Sequence, residues 1–173
     1  MVSAHTPQER LVLDFFRILS SGDLEAIRAT LHPDATWQPM VEGVPGAGIH
    51  GPRDKIVDEF LAPVRGLFVP GDPKTTVDRM VSTGDTVMCE SRGTGTLRDG
   101  RTYNNRYAWS IDVRDDRIFA IREYMDSHYA PGNRSGQSAP RILDFVTHHR
   151  GEFEAHEAEA DDAEGIQHEP LPF

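Results

Sequence analysis

From Lys74 to Asp126 the chain alternates β-branched or aromatic residues with polar ones, and short turn signals cut the run. The cuts fall at Ser82-Thr-Gly-Asp85, at Asp99-Gly100 and at Arg114-Asp-Asp-Arg117. They leave four strand-length segments: Lys74–Val81, Thr86–Leu97, Arg101–Val113 and Ile118–Asp126. Strands joined by such tight turns pair antiparallel, and Asp-Gly is among the strongest hairpin signals. A meander of four long strands is therefore the constraint that any fold of this chain must meet.

What precedes the meander reads as its packing layer. Thr6-Pro7-Gln8-Glu9 is a capping box with proline at the first helical position. Leu11, Val12, Phe15, Phe16 and Leu19 follow as one apolar stripe, and Gly22 suits a left-handed stop. Asp23 caps a second helix with Leu24, Ile27 and Leu31 inward, which His32-Pro33 ends. Ala35–Pro39 reads as a brief strand, and Val41–Gly51 as a glycine-rich loop. Gly51-Pro52 opens a third helix carrying Ile56, Val57, Phe60 and Leu61, ended by Pro63 and Gly66. The order predicts an α+β fold: three N-terminal helices packed on a curved, mostly antiparallel, conical sheet. The domain spans residues 1–130. A Gly/Ser/Pro linker follows at 131–139, then a helix at 140–160 and a disordered acidic tail at 161–173.

Net charge is −10, but it is unevenly placed. All 18 Lys and Arg lie in residues 1–150 with 20 of the 28 carboxylates, so the body is nearly neutral. No basic stripe exists for nucleic acid. No run of 18 apolar residues exists to span a membrane. Met1-Val-Ser-Ala-His-Thr-Pro lacks the basic and apolar regions of a secretion signal, so a cytoplasmic location is the default expectation. Cys89 is the only cysteine, which excludes an internal disulfide and a cysteine zinc cluster. His148, His149 and His156 with Glu152 carry no HExxH pattern and read as a solvated face. No metal or other cofactor is expected.

The candidate chemistry sits on the meander. A two-residue turn at Asp99-Gly100 would pair Arg98 with Arg101. Met88 then faces Ile111, Glu90 faces Trp109, Arg92 faces Tyr107 and Thr94 faces Asn105, all on one side of the sheet. The other side would hold Cys89, Ser91, Gly93, Arg106, Ala108 and Ser110, small or polar as a solvated face should be. The next turn is ambiguous in parity. Two loop residues would point Arg122, Tyr124 and Asp126 inward. Three with a bulge would point Phe119, Ile121, Glu123 and Met125 inward, with Glu123 opposite Tyr107. The second set is more apolar and is preferred. The expected site is thus a row of Arg92, Tyr107 and Glu123 with Glu90 beside it. Arginine would hold one carboxylate ionised while the other, in an apolar cavity, donates a proton. A structural ion-pair network would gather the same charges. Trp37, Trp109, Asn105 and Met88 are the expected ligand-lining residues. His50, after the glycine loop, is either a mobile acid–base group or a solvated loop histidine.

Several segments in this order carry a resemblance. They are Phe15-Phe16, Ser21-Gly-Asp-Leu24, His32-Pro-Asp-Ala-Thr-Trp37, Ile49-His-Gly51, and Arg117-Ile118 through Arg122-Glu-Tyr-Met-Asp126. Over residues 6–130 the chain resembles the nuclear transport factor 2-like superfamily, in its SnoaL-like, ketosteroid isomerase-like and limonene-epoxide hydrolase-like branch. The resemblance implies a conical, cystatin-like α+β barrel, often dimeric, with a hydrophobic pocket and acid–base residues on the inner sheet. The Arg122–Asp126 segment is similar to the epoxide hydrolases' Trp-Arg-Asp-Tyr-Phe-Asp, whose first Asp falls on Glu123. Their Arg-x-Asp falls in reversed order on Glu90-x-Arg92. For SnoaL-type cyclases Asp126 is the candidate acid–base residue. The expected function is an isomerase, cyclase or epoxide hydrolase acting on an apolar polyketide-, terpenoid- or steroid-like molecule. The alternative is a ligand-binding or interaction module of the same fold. A homodimer through the outer sheet face is the expected assembly.

Overall fold

The computed structural model describes residues 2–42 and 46–126. The expected linker, the helix at 140–160 and the acidic tail lie outside the described residues.

Helix α1 spans Pro7–Ser21. Thr6 caps it, its hydroxyl accepting from Glu9 N at 3.1 Å. The Glu9 carboxylate reaches one residue further back than the capping box implies. It accepts from His5 N at 2.7 Å and from Ser82 Oγ at 2.9 Å, tying the helix start to the sheet. Gly22 ends α1 at φ 80°. A Cβ there would also meet the Arg65 guanidinium, which donates to Leu19 O at 2.7 Å. Helix α2 spans Leu24–Thr30, capped by Asp23. Leu31 does not extend it as expected. Its backbone is already extended and opens strand β1 (Leu31–Pro39), but its side chain is fully buried all the same.

The third helix, α3, is continuous but changes pitch. It runs from α-helical Arg53–Lys55 through π-helical Ile56–Leu61 to α-helical Ala62–Gly66. The widening sits just before Pro63, which has no N–H to continue the α ladder, and Ala62 N bonds back to Val57 O.

Strands β2 (Lys74–Thr83), β3 (Thr86–Thr96), β4 (Thr102–Arg114) and β5 (Arg117–Met125) form the predicted antiparallel meander. Strand β1 adds to its far edge, parallel to β5, giving the order β1-β5-β4-β3-β2. The sheet is curved and unclosed. Its inner face meets Val12, Phe15 and Phe16 of α1, Ile27 of α2, and Ile56, Val57 and Leu61 of α3, all buried.

The turns at Asp99-Gly100 and at Asp115-Asp116 both differ from their expected form. Between β3 and β4 the last paired residues are Leu97 and Arg101, so the loop is Arg98-Asp99-Gly100, with Gly100 at φ 86°. One extra loop residue shifts the register and turns every β3 side chain over. Cys89 stands opposite Trp109, Ser91 opposite Tyr107 and Gly93 opposite Asn105. Val87, Cys89 and Ser91 are therefore buried, whereas Met88, Glu90 and Arg92 are exposed on the outer face. Between β4 and β5 the loop is the two residues Asp115-Asp116, at φ 49° and 53°. The bulge lies in the strand instead: Val113 pairs with Ile118 but Asp112 with Ala120, leaving Phe119 unpaired. The bulge restores the phase, so Ile121 and Glu123 face inward. Phe119 does not: its ring lies under the Arg114 guanidinium and against His32.

Candidate active site

Glu123 is the one charged residue buried on the inner sheet face among the described residues, at 7% exposure. Its position follows from the strand phase just described, and it lies opposite Trp109 rather than Tyr107. Trp37 reaches it from the neighbouring edge strand. The indole Nε1 donates to Glu123 Oε2 at 2.7 Å. Glu123's backbone is held as well, its carbonyl accepting from Met40 N at 2.7 Å.

The surroundings are aromatic. Trp37 packs edge-on to Trp109 at 5.9 Å and to Phe60 at 5.7 Å, and lies against Phe15 at 6.1 Å. Tyr107 stacks on Trp109 at 5.1 Å. Phe60, carried on the π-helical turn, stacks on His50 at 4.1 Å. His50 in turn pairs with Trp37 through two backbone hydrogen bonds of 2.9 and 2.8 Å. Its Nε2 lies 3.0 Å from Gly46 O, so it is tied into the loop rather than solvated.

In this setting burial pushes the Glu123 carboxyl up to about 7, against the smaller opposing effect of the Trp37 hydrogen bond. Among the described residues no Lys, Arg or His forms an ion pair with it. A carboxyl with that affinity is half protonated near neutral pH and can both take and return a proton.

The expected row does not assemble. Arg92 pairs with Asp78 at 2.7 Å and Glu90 with Arg79 at 3.3 Å, both on the outer face, and Met88 is exposed beside them. Asp126 stands exposed past the end of β5, its amide donating to Arg106 O. The structure brings Trp37, Asn105, Tyr107, Trp109 and Glu123 to one face and leaves the other four outside it. Residues that the sequence reading had placed on the solvated face take their place. Ser91 is buried and accepts from Trp109 Nε1 at 2.8 Å, which fixes the second indole. The signal for it was the row of small residues Cys89, Ser91 and Gly93. Small side chains on a β-strand make room for large ones opposite.

No cluster of three or more His, Cys, Asp or Glu able to hold a metal occurs among the described residues. No helix among them is long and apolar enough to cross a membrane. Two open cavities, of about 420 and 550 Å³, flank the start of α1 and the β4–β5 turn. Neither includes Glu123 or Trp37. Both are surface grooves without a buried titratable group, so the chemistry is assigned to the sheet face.

A curved sheet over three helices, with one buried carboxyl inside, defines a class of small α+β domain. Residues 12–121 match the SnoaL-like domain, and the chain belongs to that family. An NTF2-like protein from Anabaena variabilis is 27% identical, over 73% of this chain and 96% of that one, with a TM-score of 0.61. An NTF2-like protein from Burkholderia thailandensis is 26% identical, over 71% and 92%, with a TM-score of 0.59. TerC, whose structure was solved with polyporic acid, shares the fold at 23% identity, over 70% and 92%, with a TM-score of 0.61. The chain has no match among curated proteins.

Proposed function

We propose that the domain is an acid–base enzyme for apolar, polyketide-, terpenoid- or steroid-like carbonyl compounds, with Glu123 as the proton carrier. The observation that carries this reading is the buried Glu123 carboxyl with its pKa near 7. A buried structural carboxylate is ordinarily paired with a cation; this one has a single indole N–H.

The ionised carboxylate removes a proton from the carbon beside the substrate carbonyl, and the C–H electron pair moves onto the carbonyl oxygen as an enolate. The Glu123 acid then returns the proton at another carbon, which isomerises the substrate. In a cyclisation the enolate carbon attacks a second carbonyl, and Glu123 protonates the alkoxide so formed. Opening an epoxide with two carboxylates around an arginine has no support, since Glu90 and Arg92 lie on the other face. Trp37, Trp109 and Tyr107 supply the apolar wall, and the Trp37 indole holds the carboxyl in position.

The test needs no natural substrate. Deuterium exchange into 2-tetralone, an apolar enolisable ketone, is followed by mass spectrometry in heavy water. The wild-type protein accelerates exchange, with a rate that rises as Glu123 ionises around pH 7, and Glu123→Gln loses the acceleration at least a hundredfold, within the usual ~10²–10⁴-fold worth of a general base. Equal exchange in both proteins contradicts the proposal. Binding without exchange would instead mark a non-catalytic ligand-binding module.

The partner proposed for the outer sheet face is a second copy of the chain. Val81, Met88 and Tyr124 are exposed there at 67%, 45% and 42%, among the ion pairs Arg79–Glu90, Arg92–Asp78 and Arg122–Asp112. Apolar exposure rimmed by charge is the usual composition of such an interface.

A further inference from the structure

The indole that reaches Glu123 comes from a different level of the sheet. In the parallel pairing of β1 with β5, Trp37 stands opposite Ile121, and Pro39 opposite Glu123. Trp37 is thus set back from the carboxyl along the strand by two residues, about 6.5 Å. Strand side chains stand roughly perpendicular to their sheet. The indole therefore has to lean along β1 for its Nε1 to donate to Glu123 Oε2 at 2.7 Å.

The backbone does not set that lean. Trp37 is fixed on one side by β5 and on the other by the two-way bridge to His50, which leaves its ring to be placed by ring contacts. Phe15 and Trp109 are enclosed core residues. Phe60 is half-buried, meets the indole edge-on at 5.7 Å, and has a backing ring of its own. His50 lies flat against it, at 4.1 Å and 14°. Trp37 and His50 are directly opposite on an antiparallel bridge, so their side chains share one face. The Gly46 carbonyl, 3.0 Å from His50 Nε2, can only accept, so that nitrogen carries the hydrogen and the imidazole plane is set. The contacts close on themselves: Trp37 backbone to His50 backbone, His50 ring to Phe60 ring, Phe60 ring to Trp37 ring. Phe60 also belongs to π-helical Ile56–Leu61, and such turns are frequent at functional sites.

We propose that Phe60, backed by the His50 ring, is a positioning residue that holds the Trp37 indole against the Glu123 carboxyl. His50 then serves as a flat support and not as an acid–base group. The functional meaning of the proposal rests on the reading of Glu123 as the proton carrier.

The test is a mutant cycle read by ¹³C NMR titration of the side-chain carboxyls, and it needs no ligand. The Trp37 hydrogen bond holds the Glu123 midpoint down, so a loosened indole lets it rise. Phe60→Leu should raise the midpoint by about half a unit, as a weakened charge-assisted hydrogen bond would. His50→Ala should raise it similarly, because Phe60 loses its backing. Phe60→Tyr and His50→Phe each keep a flat ring and should leave the wild-type midpoint. In a Trp37→Phe background, Phe60→Leu and His50→Ala should add nothing. An unchanged midpoint in folded Phe60→Leu overturns the proposal. An equal rise in the Trp37→Phe background overturns it too, since Phe60 then acts without the indole. A fall in both backgrounds does the same, marking Phe60 as a barrier to water. So does a rise in His50→Phe as large as in His50→Ala, because His50 then acts through its charge or its Gly46 bond. Should Phe60→Leu not fold, His50→Ala carries the cycle with the same outcomes. The wild-type midpoint and the exchange into 2-tetralone bear on the role of Glu123. The differences between variants bear on Phe60 and His50, so the two readings can fail separately.

Discussion

Glu9 and Glu123 are both almost fully buried, at 4% and 7% exposure, and are pushed in opposite directions. Glu9 accepts from the His5 amide and the Ser82 hydroxyl, and these bonds hold it below the ordinary carboxylate range. Glu123 has the Trp37 indole to set against full desolvation, and rises. The structural anchor and the proton carrier differ in which effect leads, hydrogen bonds from His5 and Ser82 at Glu9 and burial at Glu123. Replacing Trp37 tests this directly. Trp37→Phe keeps an aromatic ring but removes the one opposing donor. The Glu123 midpoint should move further up, by about one unit given the worth of a charge-assisted hydrogen bond. The pH–rate profile of 2-tetralone exchange reads the shift, and an unchanged midpoint would mean that the indole does not tune the carboxyl. Single residues also explain part of what the sequence hid. Ser91 and Gly93 looked like surface residues because they are small. They are small because Trp109, Tyr103 and Tyr107 fill the volume in front of them.

The elements were legible wherever a signal is local. The Thr6 and Asp23 caps, the α1 stripe and the Gly22 stop all stand where the periodicity put them. So do the four strands of the meander. The inward phase of β4 was legible too, since Trp109 and Ile111 could face only the core. Loop length was not. Asp99-Gly100 suits a two-residue turn, but it also suits the last two positions of a three-residue loop with glycine left-handed, which the chain adopts. That single residue moved Met88, Glu90 and Arg92 from the expected site to the outer face. The β4–β5 turn shows the reverse case. There the loop has two residues and the Phe119 bulge corrects the phase, so Glu123 faces inward by a different route from the one expected. The outer face that results gives its own prediction. Met88→Asp puts a charge in the middle of the exposed apolar residues and should convert a dimer to a monomer in sedimentation velocity. A wild-type protein that already sediments as a monomer would exclude the sheet face as an interface at working concentrations.

The whole molecule depends on a contact that no local pattern announces. Strand β1 leaves the helical layer and pairs in parallel with β5, the last strand of the meander, so Trp37 lies beside Glu123 across 86 residues of sequence. The helical layer and the α+β class follow from order and periodicity, and the resemblance to SnoaL-like domains rested on that order. The site needed the register of all five strands. Its charge state also couples to folding. Glu9 binds its proton less readily in the folded state, so its contribution is present above the ordinary carboxyl pKa and is lost as pH falls. Glu123 acts the other way. Between about 4.5 and about 7 the folded protein holds a proton there that the unfolded chain has released. Its stability cost therefore grows as pH rises through that window and is complete above it, amounting to at most about 3 kcal/mol. The central claim is that this carboxyl stays protonated up to neutrality. A ¹³C NMR titration of the side-chain carboxyls, with Glu123→Gln to assign the resonance, measures it. The account predicts one glutamate titrating near pH 7, with a signal absent from the variant. A Glu123 resonance titrating near the ordinary 4.5 would contradict it.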